Sequence, residues 1–250
     1  MVEPVPPLQL SSRLLAAAAI APLREKFEES GRLQIADVLE DDAARRLHRC
    51  LAAEIPWQTV FRTRDGQNQR HVDLHQAQVA ALDRTRQNLL ADSVYTEARD
   101  RFAYVYNNYP IADAFAAGKN PSLYINDLYR FLNSDAFLGF ARQVTGIGEI
   151  ARADAQATLY RSGHLLTRHD DVLPEQHRLA AYVLSLTPEW QADWGGMLLF
   201  HAAGGNIEAG FAPRFNCLNL FRVGQPHSVS YVTPFAGAGR YSITGWLRSA

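Results

Sequence analysis

The stretch RYSITGWL, residues 240–247, alternates two kinds of side chain. In an extended chain, Arg240, Ser242, Thr244 and Trp246 share one face, and Tyr241, Ile243 and Leu247 share the other, because the side-chain period of a strand is two. A face of Arg, Ser, Thr and Trp is a poor filling for a dry core. It suits either a solvent-facing surface or a lined polar pocket.

Working outward, the same texture runs back to Gln156. QATLY, RLAAYVLSL, GMLLF, NIEAGF, RFNCLNLFRV and HSVSYV are short strand candidates separated by Gly, Pro or Asn at roughly ten-residue intervals. In QATLY, Gln156, Thr158 and Tyr160 share a face; in HSVSYV, His227 shares one with Val229 and Tyr231. The pattern predicts a mainly β, α+β fold. Its core over about 151–250 is expected to be a jelly roll, the cupin-like double-stranded β-helix, with room inside for a metal or small ligand.

Residues 1–150 read mostly helical by periodicity, as supports for that core. Asp41 or Asp42 can cap a helix whose apolar face includes Leu47, Cys50 and Leu51. HQAQVAALDRTRQNLLADSVYTEARDRF reads as one long helical stretch. No repeat or flexible linker divides the chain, so residues 1–250 are read as a single domain. RLLAAAAIAPL, residues 13–23, imitates a secretory leader, but its apolar run is short and continues as an amphipathic helix through Phe27.

The net charge of −1 gives no bulk attraction to nucleic acid or a membrane surface. Two cysteines provide no disulfide framework and favour a reducing, cytoplasmic setting. No apolar run approaches a membrane span.

Two H-x-D motifs stand out, His71–Asp73 and His169–Asp171. With 8 His among 250 residues, chance alone supplies roughly half a match, so context decides between them. A His and a carboxylate two apart in an extended segment project to the same side. With a His from a distant strand they can hold one face of an octahedral Fe(II), leaving three positions open. A dicarboxylate co-substrate is best anchored by an Arg fork. The second motif meets these demands: it follows the strand ending at Tyr160, His227 opens a later strand, and Arg240 lies on the inner face of the next. The first motif leads into the long helix and reads as a polar loop. Asp170 is expected beside the ligands or in solvent.

These residues resemble the Fe(II)- and 2-oxoglutarate-dependent dioxygenases, on their prolyl-hydroxylase branch. The resemblance runs from Thr158 to Leu247 and rests on an ordered set: Tyr160 to Asp171, Arg178 to Trp190, GGMLLF at 195–200, Pro213 to Phe221, PHSV at 226–229, and RYSITGW. The chain is similar to the ribosomal-protein prolyl hydroxylases, and more loosely to the oxygen-sensing ones. The resemblance implies that His169, Asp171 and His227 bind iron and that Arg240 pairs with the distal carboxylate of 2-oxoglutarate. It implies that Tyr160 hydrogen-bonds the co-substrate with support from Ser242 or Thr244, and that Leu198 and Trp246 wall the pocket. Ser185 stands where relatives place a Tyr that grips 2-oxoglutarate, which alters that part of the site. O2 as co-substrate, ascorbate as reductant and a protein or peptide substrate follow from the same likeness.

FRTRDGQNQRHVD, residues 61–73, is either a solvated loop or a lid carrying substrate contacts at Arg62 and Arg64; Trp246 is a further substrate-side candidate. Tyr106, Asn107 and Asn108 are candidates for an entrance. His48, His164, His177 and His201 read as structural. Two rival readings remain: an oxygenase of a free amino acid or other small molecule, and a cupin-like metal-binding module without turnover. Arg240 argues against the module, which has no use for an inward Arg.

Overall fold

The computed structural model describes residues 5–65 and 68–250. The chain folds into one antiparallel sheet, nearly closed into a barrel, with helices packed on its outer side. In order, α1 is Ala17–Ser30, β1 Arg32–Ile35, α2 Asp41–Ala53, β2 Gln58–Asp65 and β3 Asn68–His75. Then come α3 Gln76–Ala80, α4 Arg84–Ala98, β4 Tyr104–Tyr109, α5 Ile111–Ala116, α6 Ile125–Leu132 and α7 Asp135–Thr145. The remaining strands are β5 Arg152–Ala153, β6 Gln156–Tyr160, β7 Leu165–His169, β8 Arg178–Ser185, β9 Leu198–His201, β10 Ile207–Phe211, β11 Cys217–Arg222, β12 His227–Val229 and β13 Arg240–Arg248.

Spatially the strands run β1-β11-β8-β13-β6-β4-β7-β12-β9-β10, with β2 on β4, β3 on β2, and β5 on β13. This is the double-stranded β-helix expected from the alternation after Gln156. β13 lies between β6 and β8, so its inner face aligns with theirs: Arg240 opposite Tyr160, Ser242 opposite both Thr158 and Ser185, and Trp246 opposite Ala181. The outer face of the same strands, with Tyr182, Leu184, Ile243 and Leu247, packs under the helices against Leu47, Leu51, Leu128 and Phe137. Burial on both faces explains the nearly unbroken apolar run of β8.

Gly245 marks how tightly this outer face is packed. A Cβ there would lie 2.1 Å from the Asp154 carbonyl oxygen and 2.9 Å from the Tyr182 ring. The Tyr182 hydroxyl donates to that same carbonyl at 2.6 Å, so glycine is what lets the two elements close.

The first half differs from the helical expectation. β1 to β4 all join the sheet, and residues 61–73 form most of a hairpin, not a solvated loop. The signal was present: in β3, Val72 and Leu74 alternate with His71, Asp73 and His75. Their backs pack with Phe61 and Val105 against Val94 and Leu90 of α4. Polar composition on the other face hid a period-two pattern. The turn residues 66–67 lie outside the described residues. The expected long helix after His75 breaks in two because Asp83 turns out and caps α4, its Oδ1 accepting the Arg86 N–H at 2.8 Å. Glu40, not Asp41 or Asp42, occupies the N-cap of α2; the two aspartates lie in its first turn, where they favour the helix dipole.

Candidate active site

β7 and β12 are paired, with His169 directly opposite His227. Their imidazole centroids are 4.1 Å apart. The Asp171 carboxylate closes the triangle, with Oδ1 3.4 Å from His169 Nε2 and Oδ2 3.4 Å from His227 Nε2. Asp171 does not arrive by strand alternation, as the spacing suggested. β7 ends at His169, and Asp171 sits at φ 64°, a left-handed conformation that turns its side chain back over the strand end. Aspartate tolerates that conformation better than most residues, and such strain gathers at functional sites. Asp170 is exposed and stabilises the same bend, its Oδ1 accepting the Val172 N–H at 3.1 Å.

The two histidines are held in one tautomer. His169 Nδ1 donates to the Thr167 carbonyl at 3.0 Å, and His227 Nδ1 to the Gln225 carbonyl at 2.8 Å. Each neutral ring therefore presents its Nε2 lone pair to the Asp171 oxygens. Burial pushes the Asp171 carboxyl pKa up, whereas hydrogen bonds and positive charge from the facing imidazoles, when their Nε2 atoms carry protons, hold it well below the usual carboxylate range; with the rings neutral that relief is gone. An ionised carboxylate facing two imidazole lone pairs, with the ligand atoms all within 4.8 Å of one another, is a repulsive arrangement unless a cation sits between them. Two nitrogens and one carboxylate, open on one side, suit a divalent first-row metal such as Fe(II).

Across the same narrow cavity, of about 80 Å³, lies Arg240. It is 2% exposed and faces no carboxylate within ion-pair distance among the described residues. Its Nη1 donates to Ser242 Oγ at 3.1 Å, its guanidinium lies 5.1 Å from the Tyr160 ring centroid, and its Nε has no partner. Burial lowers its pKa. A buried guanidinium without a counter-charge is costly, and a bound carboxylate relieves that cost. The donor set thus fits both halves of a metal-chelating keto acid.

The other expected residues divide. Tyr160, Thr244, Leu198 and Trp246 line the cavity. Ser242 and Ser185 lie behind Arg240: Ser242 Oγ also meets Thr158 Oγ1 at 2.9 Å, and Ser185 Oγ is buried without a partner. Arg62 lies on β2 with its guanidinium 5.3 Å from the Phe102 centroid, and Arg64 pairs with Glu97 at 3.2 Å. Tyr106 lines the cavity and stacks on Tyr160, centroids 5.1 Å apart at 19°. Asn107 faces the other way, donating to Thr59 Oγ1, while Asn108 donates to Gln156. His71 and Asp73 are 3.0 Å apart on β3, without a third ligand among the described residues. Sequence reasoning missed Gln156 as lining and the packing of Phe102 against His169, centroids 5.4 Å apart. β4 lies in the half read as helical, which concealed the second.

A family model described as the 2OG-Fe(II) oxygenase superfamily matches residues 155–248, the segment that holds all three triad residues and Arg240. Over those residues the chain is similar to that superfamily. That superfamily uses Fe(II), 2-oxoglutarate and O2. Prolyl 3-hydroxylase OGFOD1 of Mus musculus is 31% identical over 148 residues, covering 49% of this chain and 27% of the relative; the chain spans about a quarter of that protein's length. A prolyl hydroxylase from Trichoplax adhaerens, solved with a hypoxia inducible factor peptide fragment, superposes with TM-score 0.58 at 18% identity, covering 91% of this chain and 87% of that one. A 2OG-Fe(II) oxygenase family oxidoreductase from Burkholderia pseudomallei gives 0.56 at 14% identity, covering 93% and 92%. Both have the same double-stranded β-helix fold. No helix among the described residues is long and apolar enough to cross a membrane.

Proposed function

We propose that this protein is a 2-oxoglutarate-dependent dioxygenase that hydroxylates a prolyl residue of a protein or peptide, with residues 1–250 acting as one catalytic unit in the cytoplasm. The observation that carries the reading is the joint presence, in one cavity, of a convergent His-Asp-His lone-pair set and a buried arginine with no counter-ion among the described residues. A metal-storage or sensing module would need the first but not the second.

In this reading His169, Asp171 and His227 hold Fe(II), and Arg240 takes the distal carboxylate of 2-oxoglutarate. Bound Fe(II) supplies O2 activation coupled to loss of CO2 from 2-oxoglutarate, giving succinate and one oxygen atom for an unactivated C–H. The chain's own part is positional. Thr167 and Gln225 carbonyls fix both imidazoles by their Nδ1 protons. Ser242 braces the guanidinium. Tyr160, stacked between Arg240 and Tyr106, aims its hydroxyl at the co-substrate; burial keeps it protonated and therefore a donor. Leu198, Val183 and Val229 wall the cavity against water. Trp246 and Arg62 flank the approach of the substrate. Ser185 in place of a larger hydroxyl residue leaves the co-substrate to be held mainly by Arg240 and Tyr160.

Prolyl relatives support a peptide substrate, whereas a free amino acid would be the alternative. The test is 2-oxoglutarate-dependent succinate formation with Fe(II) and ascorbate, together with mass spectrometry of a peptide panel and a cell extract. One oxygen atom added to a prolyl peptide is the expected product. Addition only to free amino acids would replace the prolyl reading, and no succinate from protein that binds iron would end the dioxygenase reading.

A further inference from the structure

The upstream H-x-D, unused by the metal site, belongs to a second arrangement. Tyr104 on β4 lies 2.5 Å from His71 Nδ1 through its hydroxyl, and His71 Nε2 lies 3.0 Å from Asp73 Oδ1. The Asp73 carboxylate can only accept, so it fixes the proton on Nε2 and leaves Nδ1 as the acceptor of the phenol proton. This tautomer is opposite to that of His169 and His227.

Two aromatic routes join Tyr104 to the metal site. In one, His169 packs on Phe102 at 5.4 Å between centroids, and Phe102 on Tyr104 at 5.6 Å. In the other, Tyr160 stacks on Tyr106 at 5.1 Å, and Tyr106 packs on Tyr104 at 5.6 Å. At such ring separations electron tunnelling is fast. The outer end reaches solvent: the His71 and Asp73 side chains are 52% and 53% exposed. Burial raises the Tyr104 pKa and keeps the phenol protonated, and an oxidised phenol gives up that proton to an acceptor in hydrogen-bond contact. Tyr104, Tyr106, His71 and Asp73 share the face of β4 and β3 turned away from the apolar packing under α4.

We propose that Tyr104, His71 and Asp73 form an electron port, through which a small enediol reductant of the ascorbate class returns electrons to the metal site after an unproductive cycle. This rests on the dioxygenase reading for its oxidant. Decarboxylation of 2-oxoglutarate with no substrate in place would leave two oxidising equivalents and one oxygen atom from O2 at the site that His169, Asp171 and His227 would hold. Tyr104 gives one electron through the rings; its O–H bond breaks and the proton moves to His71 Nδ1, leaving a neutral tyrosyl radical beside an imidazolium paired with Asp73. The enediol returns one hydrogen atom to Tyr104 and becomes its one-electron-oxidised radical, while His71 releases its proton to water. Two rounds deliver two electrons. With two protons from solvent, the oxygen atom leaves as water and Fe(II) is restored.

The test has two arms on the full chain. In the first, metal-free protein is oxidised by a flash-generated ruthenium(III) polypyridyl complex, and tyrosyl radical is followed by electron paramagnetic resonance. The proposal expects a radical whose rate of formation falls on the order of 100-fold in His71→Gln, the scale of a lost positioned proton acceptor, and whose signal is lost in Tyr104→Phe. In the second, protein with Fe(II), 2-oxoglutarate and O2 but no substrate is freeze-quenched. The same radical is expected, and Tyr104→Phe should lose both it and rescue by ascorbate while keeping wild-type metal and 2-oxoglutarate affinity. An undiminished radical in Tyr104→Phe, or an unchanged rate in His71→Gln, overturns the port. So does normal 2-oxoglutarate consumption with no radical and undiminished ascorbate rescue in Tyr104→Phe. Absence of 2-oxoglutarate consumption beside a normal first arm instead overturns the dioxygenase reading, and the port's role with it.

Discussion

Asp171 reaches the two histidines from a left-handed backbone position, φ 64°, with each carboxylate oxygen 3.4 Å from one Nε2. Ligation and backbone strain at this residue can therefore be separated. Asp171→Gly keeps the left-handed turn and removes the carboxylate. It should lose metal binding in a calorimetric titration yet melt at or above the wild-type temperature. Asp171→Ala should lose metal equally but be less stable than the glycine variant by about 1 kcal/mol, the cost of a Cβ in that conformation. Asp73→Ala should bind metal as wild type does.

Arg240 is a buried cation with no counter-ion among the described residues; in the proposed reading it serves binding at the expense of the empty fold. Arg240→Met should leave the metal-free protein as stable as wild type or more so, by about 1–3 kcal/mol in urea unfolding. The same variant should bind metal normally but lose 2-oxoglutarate affinity by roughly 2–5 kcal/mol, the usual loss when one partner of a buried charge pair is truncated.

Gly245→Ala drives a methyl into the Asp154 carbonyl and the Tyr182 ring. Because backbone cannot yield as a flexible side chain does, the loss should be about 3 kcal/mol or more, at the upper end for overpacked cores. Denaturant midpoints compared at constant m-value measure it.

His164 has its pKa lowered to about 4 by burial. The unfolded chain takes up this proton near pH 6.5, so the unfolded state binds more protons between pH 6.5 and about 4, and stability falls as pH drops through that window. The slope should flatten in His164→Gln. Because part of the ring meets solvent, a contribution of about 2 kcal/mol is expected in full. Equal slopes in variant and wild type would assign the acid sensitivity elsewhere.

Much of the inner face was readable from strand alternation. RYSITGWL placed Arg240, Thr244 and Trp246 on one face, and QATLY placed Tyr160 with them, because a two-residue period leaves no choice of side. His169, Asp171 and His227 were readable as a set because Arg240 singled out one of two H-x-D motifs. What alternation could not supply was the route of Asp171, since a single left-handed residue leaves no periodic trace. β2 and β3 were misread for a different reason. On the face turned away from α4 their residues include Arg, His and Asp, so half of the strand pattern looked like a polar loop. The aromatic packing of Phe102, Tyr104 and Tyr106 around the site depends on β4 joining the sheet out of sequence order, between β6 and β7. Local pattern does not report such long-range pairing.

The central claim is that one cavity holds Fe(II) on His169, Asp171 and His227 and 2-oxoglutarate on Arg240. An anaerobic titration of the iron-loaded protein with 2-oxoglutarate, followed by the visible absorption of the keto acid chelated to Fe(II), tests it most directly. A saturable band is expected in the wild type, none in Asp171→Gly, and a band requiring far more 2-oxoglutarate in Arg240→Met. Iron bound normally with no band in the wild type, or an unshifted titration in Arg240→Met, would contradict it.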